Sequence, residues 1–576
     1  NKNRGSYRPP KSDLRLCTAV KQGKPCAYGD SCRFSHDVEA YEASRPPDLG
    51  ELCPIYTLRG YCQFGVTCRF GLAHGGKNNP ENASHEVYEL NTDTYDLMAR
   101  LRKRNYDFSI ATAAVARWEA INQHPAQSKD GDEILASAIE NVSGAVDGAS
   151  DAITCDTTGE VDSATDPPEP AADESAAAQD SAPSSNGVSA MPSATINSDR
   201  DSHYALGSVV CKEKKKVDFR GKLVLAPLTT VGNLPFRRIC KEYGADITCS
   251  EMALAVNLLQ GQSSEWALLK RHVSEDVFGV QIAGNNVDHM TRVAQVLEEH
   301  VEVDYVDINM GCPIDLICNR GMGSALPLRP NKVQGIVRSM SQVLSVPLTV
   351  KLRMGYDTGK PTAHNLIPKL PGWGVAAVTL HGRSRQQRYT KTADWEYIAK
   401  CATESAIPLV GNGDAFSYED LDAVLRADTN ISSVMLARGA LIKPWLFTEM
   451  KERRHWDISA SERLDMLRGF VRNGLEHWGT DDMGVARTRG FLLEWLSFLH
   501  RYVPVGLLER VPPRIQEQRP LSFSGRNDLE TLMASSQASD WVKISEMLLG
   551  PVPADFHFTP KHKSNADPST VITSEG

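Results

Sequence analysis

Between residues 222 and 437, eight short apolar segments alternate with stretches whose apolar residues recur at helical spacing. The segments are typical of buried parallel strands, and the stretches between them of amphipathic helices. Eight strand–helix units predict a TIM barrel over 216–455; a doubly wound open sheet is the alternative, but no glycine-rich dinucleotide motif follows the first strand. The predicted strands are 222–226, 246–250, 278–282, 305–309, 347–352, 377–381, 408–412 and 433–437, and the predicted helices include 235–243, 287–300, 333–344 and 418–426.

Upstream of the barrel, a set of three cysteines and one histidine occurs twice, at 17–36 and 53–74. Each set offers three thiolates and one imidazole, a complete tetrahedral set for a structural zinc ion. The alternative, unliganded core thiols, does not account for a repeated three-term spacing. The predicted ligands are Cys17, Cys26, Cys32 and His36 in the first set, and Cys53, Cys62, Cys68 and His74 in the second, where the last spacer is longer.

Aromatic and arginine side chains lie around both predicted zinc sites. Rings stack on unpaired bases and guanidinium groups bind phosphate, so residues 1–80 resemble the tandem CCCH zinc fingers of RNA-binding proteins. The alternative is a structural zinc knuckle that packs on its neighbour. The side chains concerned are Tyr28, Arg33, Phe34, Arg59, Tyr61, Phe64, Arg69 and Phe70.

The negative charge of the chain is concentrated in one segment. Of a net charge of −9, residues 125–210 contribute −14, from 16 acidic residues against Lys129 and Arg200, which leaves about +5 for the rest. We therefore predict a disordered acidic linker over 125–215, preceded by a short helical segment over 81–124. The mildly basic remainder is compatible with a polyanionic partner.

Polar residues stand at the carboxyl ends of seven of the eight predicted strands, where TIM barrels carry their chemistry. Any one of them could instead be a bonded core residue or a solvated charge. Glycine-containing turns after the last two strands favour phosphate binding, and a nearby lysine could stabilise the negative charge of a reduced flavin. The residues therefore indicate a flavin-dependent oxidoreductase or, as the alternative, an enzyme that acts on a metabolite carrying a phosphate group. The candidates are Pro227, Leu228, Thr229, Gln281, Asn309, Cys312, Lys351, Arg353, His381, Arg383, Arg385, Asn412, Gly413, Asp414, Ala437 and Arg438.

The segments at these strand ends read LAPLT at 225–229, QIAG at 281–284, DINMGCP at 307–313, VKLRM at 350–354, LHGRSR at 380–385, GNGD at 411–414 and ARG at 437–439. As a set they resemble the tRNA-dihydrouridine synthases. The tandem fingers, with FLLEW at 491–495 and RYVPVG at 501–506, are similar to those of the eukaryotic branch that acts on the tRNA variable loop.

The resemblance implies an FMN enzyme, reduced by NADPH or NADH, that saturates the C5–C6 bond of a uridine in tRNA, with some mRNAs as further candidate substrates. Cys312 matches the general acid that protonates C5 after hydride reaches C6. Asn309, Arg353, Arg383 and Arg385 are assigned to the substrate, and the other eleven candidates to FMN. Replacement of Cys318, six residues beyond Cys312, is expected to be tolerated.

Residues 456–560 are predicted to form a helical tRNA-binding domain, followed by a tail at 561–576. Between Arg487 and Arg526 there are seven arginines and three glutamates, a basic excess that fits an RNA clamp including Arg510 and Arg514 and equally fits a solvated surface. The resemblance favours the clamp. Because the chain contains no apolar run of 18 residues, we expect a soluble protein. We expect it in the cytoplasm or nucleus, and we infer no membrane or protein partner. Two alternatives remain open: an FMN enzyme of free pyrimidines, and an RNA-binding regulator with an idle barrel.

Overall fold

The computed structural model describes residues 16–21, 24–74, 84, 86–123, 214–387, 389, 391–426, 429–508, 523–553 and 556–561. Residues 124–213, which contain all but the last two residues of the acidic linker predicted at 125–215, lie outside the described residues, as does the predicted tail from 562 onwards. Arg510 and Arg514 of the predicted RNA clamp also lie outside them.

Before the barrel, the described chain forms six helices and a short antiparallel strand pair. The pair joins Glu89–Leu90 to Arg271–His272 of the barrel region. The longest helix packs on the outside of the barrel, where the indole of Trp118 lies so close to Gly335 that a Cβ there would come within 2.6 Å of it. The helices are α1 Thr18–Lys21, α2 Val38–Ser44, α3 Pro54–Arg59, α4 Gly71–His74, α5 Tyr95–Arg102 and α6 Ser109–Gln123.

Eight parallel strands close into a barrel, which confirms the predicted fold. Each strand pairs with the next along the chain, and the last pairs with the first, so the open sheet is excluded. Every observed strand end lies within one residue of its predicted position. The strands are β1 Leu223–Leu225, β2 Ile247–Cys249, β3 Val277–Ala283, β4 Tyr305–Met310, β5 Leu348–Arg353, β6 Ala377–His381, β7 Leu409–Asn412 and β8 Ser433–Leu436.

Helices cover the outside of the barrel. Several begin at an Asn, Asp or Ser whose side chain accepts a hydrogen bond from the free backbone N–H groups of the first turn, as Asn286 does for Val287–His300. After β5 the connection carries only one four-residue helix and 3-10 turns. The helices are α7 Leu234–Glu242, α8 Ala255–Leu259, α9 Ser263–Trp266, α10 Val287–His300, α11 Asp315–Cys318, α12 Pro330–Val343, α13 Ala363–Leu366, α14 Trp395–Thr403, α15 Tyr418–Val424, α16 Arg438–Ile442 and α17 Leu446–Glu452.

The C-terminal region is helical, as predicted, and shares its core with the barrel. Trp495 is fully buried, packs edge-on against Phe236 of α7 at 5.2 Å, and donates its indole N–H to the carbonyl of Leu441 at 2.9 Å. Among the described residues, no helix combines the length and the apolar character that crossing a membrane requires. The helices are α18 Ala460–Trp478, α19 Asp482–Leu499, α20 Asp528–Ala534 and α21 Ala538–Leu549.

Candidate active site and zinc centres

Cys312 lies in a turn directly after β4, at the carboxyl end of the barrel. The side-chain oxygen of Asn309 accepts hydrogen bonds from the backbone N–H of Cys312 at 2.9 Å and of Gly311 at 3.2 Å. This cap fixes the turn and leaves the thiol half-buried. Burial raises the pKa of Cys312 above its usual value, so the thiol holds its proton at neutral pH. It is available as a proton donor.

A chain of buried hydrogen bonds orients Asn309. Asp307 accepts from Gln281 at 2.8 Å and from Thr349 at 2.7 Å, and Gln281 accepts in turn from the amide of Asn309 at 2.8 Å. The carboxylate therefore decides which way both amides point, and so which group Asn309 presents to Cys312. Burial raises the pKa of Asp307 to about 6. We call this set the Asp307 relay.

The sequence reasoning missed Asp307, although a signal existed. An acid within an apolar strand is unusual, and alternate residues of a strand share one face, so Asp307 lies on the same side of β4 as Asn309. The register places Gln281 directly beside Asp307 and Lys351 beside Asn309.

Lys351, on β5, is held inside the end of the barrel by Asn412. Its ammonium donates to the side-chain oxygen of Asn412 at 3.2 Å. Burial, reinforced by the charge of Arg353, lowers the pKa of Lys351 to about 8. At neutral pH the side chain remains mostly cationic.

His381 ends β6 beside an ion-pair cluster. Burial first, and then the charge of Arg353, holds the pKa of His381 well below its usual value, so the imidazole is neutral. Next to it, Arg383 and Arg438 both pair with Asp414, at 2.5 and 2.9 Å. Arg383 has no exposed surface, so we expect it to act through Asp414 and His381 rather than by touching RNA.

The turn after β7 packs closely on the segment that precedes α14. Gly413 has a φ of 140°, and a Cβ there would lie 2.5 Å from the Cβ of Ala393. Asp414, with a φ of 46°, accepts from the backbone N–H of Ala393 at 2.7 Å. Glycine is therefore required for this turn to adopt its shape.

Tyr389 is a site residue that the sequence reasoning missed. Its ring, about half exposed, stacks on His381 with centroids 6.4 Å apart, and the guanidinium of Arg438 lies 4.4 Å from its centroid. Arg353 donates to its hydroxyl at 3.3 Å. No strand pattern marks the loop after β6, so only the folded structure brings this ring to the site.

Arg353 and Arg385 both hold the turn that carries Cys312. Arg353 donates to the carbonyl of Gly311 at 2.9 Å, and Arg385 donates to the carbonyl of Pro313 at 3.2 Å and pairs with Asp315. The sequence assigns both arginines to the substrate, and that role stays a prediction.

The remaining candidates form the rim where β8 meets β1. The backbone N–H of Ala226 donates to the carbonyl of Leu436 at 2.8 Å, which brings the segment after β1 beside Ala437. Pro227 and Leu228 are partly buried, and Thr229 is exposed.

Both cysteine–histidine sets assemble in the structure. In each, the four ligand atoms lie within 4.8 Å of one another. The second set is entirely buried, and the Nε2 atom of His74 has no hydrogen-bond partner among the described residues, as expected for an atom reserved for a metal ion. In the first set only Cys17 is buried, and His36 is exposed. The donor sets fit zinc.

Comparison with known proteins identifies the family. The model of the dihydrouridine synthase family (Dus) matches residues 224–478, and that of the DUS3L CCCH zinc finger domain matches residues 12–43. A human protein named tRNA-dihydrouridine(47) synthase, NAD(P)(+)-like, is 50% identical over 98% of this chain and 83% of its own length. This chain belongs to the dihydrouridine synthase family. It is an oxidoreductase with a CCCH zinc finger ahead of its barrel.

Two further relatives show how far the similarity extends. A protein of the same name from Oryza sativa subsp. japonica is 45% identical over 96% of this chain and 86% of its own length. A tRNA-dihydrouridine(47) synthase from Coprinopsis cinerea is 39% identical over 96% of this chain and 87% of its own length. The similarity of this synthase to its relatives therefore includes the fingers and the helical tail as well as the barrel.

Proposed function

We propose that this synthase reduces a uridine in the tRNA variable loop, at position 47, to 5,6-dihydrouridine, with FMN as bound cofactor and NADPH or NADH as reductant. The observation that carries the proposal is the Cys312 turn, which presents a protonated thiol at a barrel mouth lined by a cationic lysine and a neutral histidine. The names of the relatives, which specify tRNA position 47 and NAD(P)(+), support the choice of substrate and reductant.

The residues at the ends of β5 to β8 suit FMN. Lys351 makes one hydrogen bond to a described residue, Asn412, so two of its N–H donors remain for an anionic ring edge. Arg438 stands at the start of α16, where TIM barrels commonly bind phosphate. When bound, FMN supplies the hydride that C6 of the uracil receives.

The residues of the Cys312 turn would complete the reduction. Cys312 donates its proton to C5, and its raised pKa keeps that proton in place until it is needed. Asn309 holds the turn through the backbone N–H of Cys312, and Arg353 holds it through the carbonyl of Gly311. The geometry of the proton donor thus depends on polar groups that are themselves buried and bonded.

The test compares Cys312→Ala with Cys318→Ser. Cys318 is buried and donates to the carbonyl of Cys312 at 3.3 Å, so serine retains its hydrogen bond and makes a better control than alanine. We expect Cys312→Ala to lower the dihydrouridine yield on unmodified tRNA by about 100-fold or more, with flavin reduction by NADPH unchanged. Cys318→Ser is expected to keep most of the activity. Wild-type yield from Cys312→Ala would overturn the proposal.

The Asp307 relay predicts a pH dependence. Below pH about 6 the carboxyl becomes protonated and can no longer accept from both Gln281 and Thr349, so the orientation of Asn309 is no longer fixed. The rate of proton donation is expected to fall as the pH drops through about 6. In the Asp307→Asn variant, the rate of proton donation is expected to be about tenfold below that of the wild type at every pH. A wild-type pH profile in that variant would exclude the relay from function.

The alternatives can be separated on the purified protein. An RNA-binding regulator with an idle barrel predicts no flavin absorbance that NADPH bleaches, and an enzyme of free pyrimidines predicts turnover of uridine without RNA. We expect bleaching and no turnover of free uridine. Mapping dihydrouridine in RNA from cells that lack the protein tests the tRNA site and the further mRNA candidates, and imaging tests the proposed cytoplasmic or nuclear location.

A further inference from the structure

The second cysteine cluster is closed by a residue of the C-terminal helical region. Thr480, in the turn between α18 and α19, is fully buried, and its hydroxyl oxygen lies 3.2 Å from the Sγ of Cys68 and 3.5 Å from the Sγ of Cys62. The two cysteines are more than 400 positions away in sequence. One hydroxyl group is thus within hydrogen-bond reach of two of the four zinc ligands.

The backbone around Thr480 is also bonded to this cluster. The carbonyl of Thr480 accepts from the backbone N–H of Arg69 at 2.7 Å, and the guanidinium of Arg69 pairs with Asp482 at 2.9 Å. Gly479 has a φ of 111°, and a Cβ there would lie 2.5 Å from the ring of Phe64. The turn and the finger therefore fit each other closely.

These contacts occupy side chains that the sequence offered for RNA binding. Phe64 packs against the turn, Arg69 is paired with Asp482, and Phe70 is buried. Tyr56, which is not one of those candidates, also packs within the finger, on the His74 imidazole with centroids 5.3 Å apart. At these positions the second finger is therefore a structural zinc knuckle whose side chains pack on their neighbours.

We propose that the Thr480 hydroxyl is a hydrogen-bond partner of the thiolates that bind the second zinc ion. We further propose that this zinc ion holds the N-terminal segment against the helical tail and does not serve RNA binding. Zinc-bound thiolates carry negative charge, and a hydroxyl donor beside them stabilises and orients them. A segment as short as 53–74 buries little core of its own, so metal binding contributes directly to its folding. The inference is independent of the reaction proposed for the barrel.

The first cluster provides the contrast. The backbone N–H of Cys17 donates to the carbonyl of Ser35 within its own finger, at 2.9 Å, and His36 is exposed. Tyr28 is 55% exposed. Zinc in the first finger should therefore be retained independently of Thr480.

The first experiment measures zinc release from the full-length chain into a chelator. Thr480→Val removes the hydroxyl at nearly constant volume, and Thr480→Ser retains it. Thr488→Val is the matched control, because Thr488 is also fully buried in α19 but its hydroxyl donates to the carbonyl of Gly484. We expect Thr480→Val to release one of two zinc ions about tenfold faster than wild type, with Thr480→Ser and Thr488→Val close to wild type. Equal release from Thr480→Val would overturn the proposal.

The second experiment does not depend on whether Thr480→Val folds. Amide hydrogen exchange of the wild-type chain is followed before and after chelation, and in Cys62→Ser and Cys26→Ser. Loss of the second zinc is expected to speed exchange in the last turn of α18 and the first turns of α19, while Cys26→Ser leaves these amides protected. Unchanged exchange at α18 and α19 after both zinc ions are removed would contradict the fastening role.

Discussion

The two CCCH units share their ligand types and much of their spacing, yet their surroundings differ. The second is buried, with Thr480 of the tail beside two of its thiols, whereas the first leaves His36 and Tyr28 exposed. Ligand spacing determines which ion can bind, because it fixes the donor set. Whether a zinc-bound unit can bind RNA or serves only as a packing element depends on whether its aromatic side chains are exposed or already packed.

The first finger retains the groups that an RNA-binding module needs. The guanidinium of Arg33 lies over the ring of Phe34 at 4.9 Å, and Tyr28, five residues before Arg33, is exposed. Rings and guanidinium groups in this state can stack on unpaired bases. RNA binding by the first finger, and its absence from the second, can be tested separately.

The largest difference is expected when a ligand is removed from each finger. Cys62→Ser should lower the free energy of unfolding by about 4 kcal/mol, because loss of a structural metal is loss of folding energy. Cys26→Ser should change it by less than about 1 kcal/mol. Urea unfolding followed by tryptophan fluorescence, to which the buried Trp495 and Trp541 contribute, measures both. Equal losses would mean that the fingers are structurally equivalent.

A second link between the N-terminal segment and the tail does not involve metal. Burial alone would raise the pKa of Glu89, but its hydrogen bond with His477 at 2.8 Å and the charges of His477 and Lys270 lower it to about 2. The resulting stabilisation is full above pH about 4.5 and is lost as the pH falls through about 2. Glu89→Gln should cost about 2 kcal/mol at neutral pH, and less as the pH falls below 4.5. A cost that stays constant across this range would exclude the ion pair.

Aromatic substitution should affect RNA binding in one finger and stability in the other. Tyr28→Ala is expected to weaken tRNA binding about tenfold, since one stacked base contributes about 1–3 kcal/mol, without changing the unfolding midpoint. Phe64→Ala should instead lower that midpoint, because its ring packs on Gly479. Filter binding measures the tRNA affinity of both variants, and urea unfolding measures their midpoints. Weaker binding by a fully stable Phe64→Ala would reverse the assignment.

The smallest effect is expected from the arginines. Arg69 and Asp482 form a partly exposed pair, so a double-mutant cycle should give a coupling of about 0.5 kcal/mol in unfolding. Arg33→Ala should leave stability unchanged. It should reduce the slope of the logarithm of tRNA affinity against the logarithm of salt concentration by about one, the loss of one phosphate contact. If Arg69→Ala reduced that salt dependence instead, the second finger would contact RNA.

Much of the barrel could be predicted because its signals are local. The strands are apolar runs, and the ends of all eight predicted strands agree with the observed ones to within one residue. Parallel strands also bring their carboxyl ends to one edge, so Asn309, Lys351 and His381 could be assigned to a single site from their positions in sequence. Tyr389 could not be assigned, since it lies in a loop without periodicity.

The sequence by itself determined the barrel, the family and the two cysteine–histidine sets, because strand periodicity, motifs and ligand spacing each lie within short segments. The tertiary structure decided which thiols are buried, which arginines hold the Cys312 turn, and which finger is attached to the tail. These are contacts between side chains far apart along the chain, such as Thr480 with Cys68. No local pattern in the sequence encodes them, since each depends on how complete elements pack.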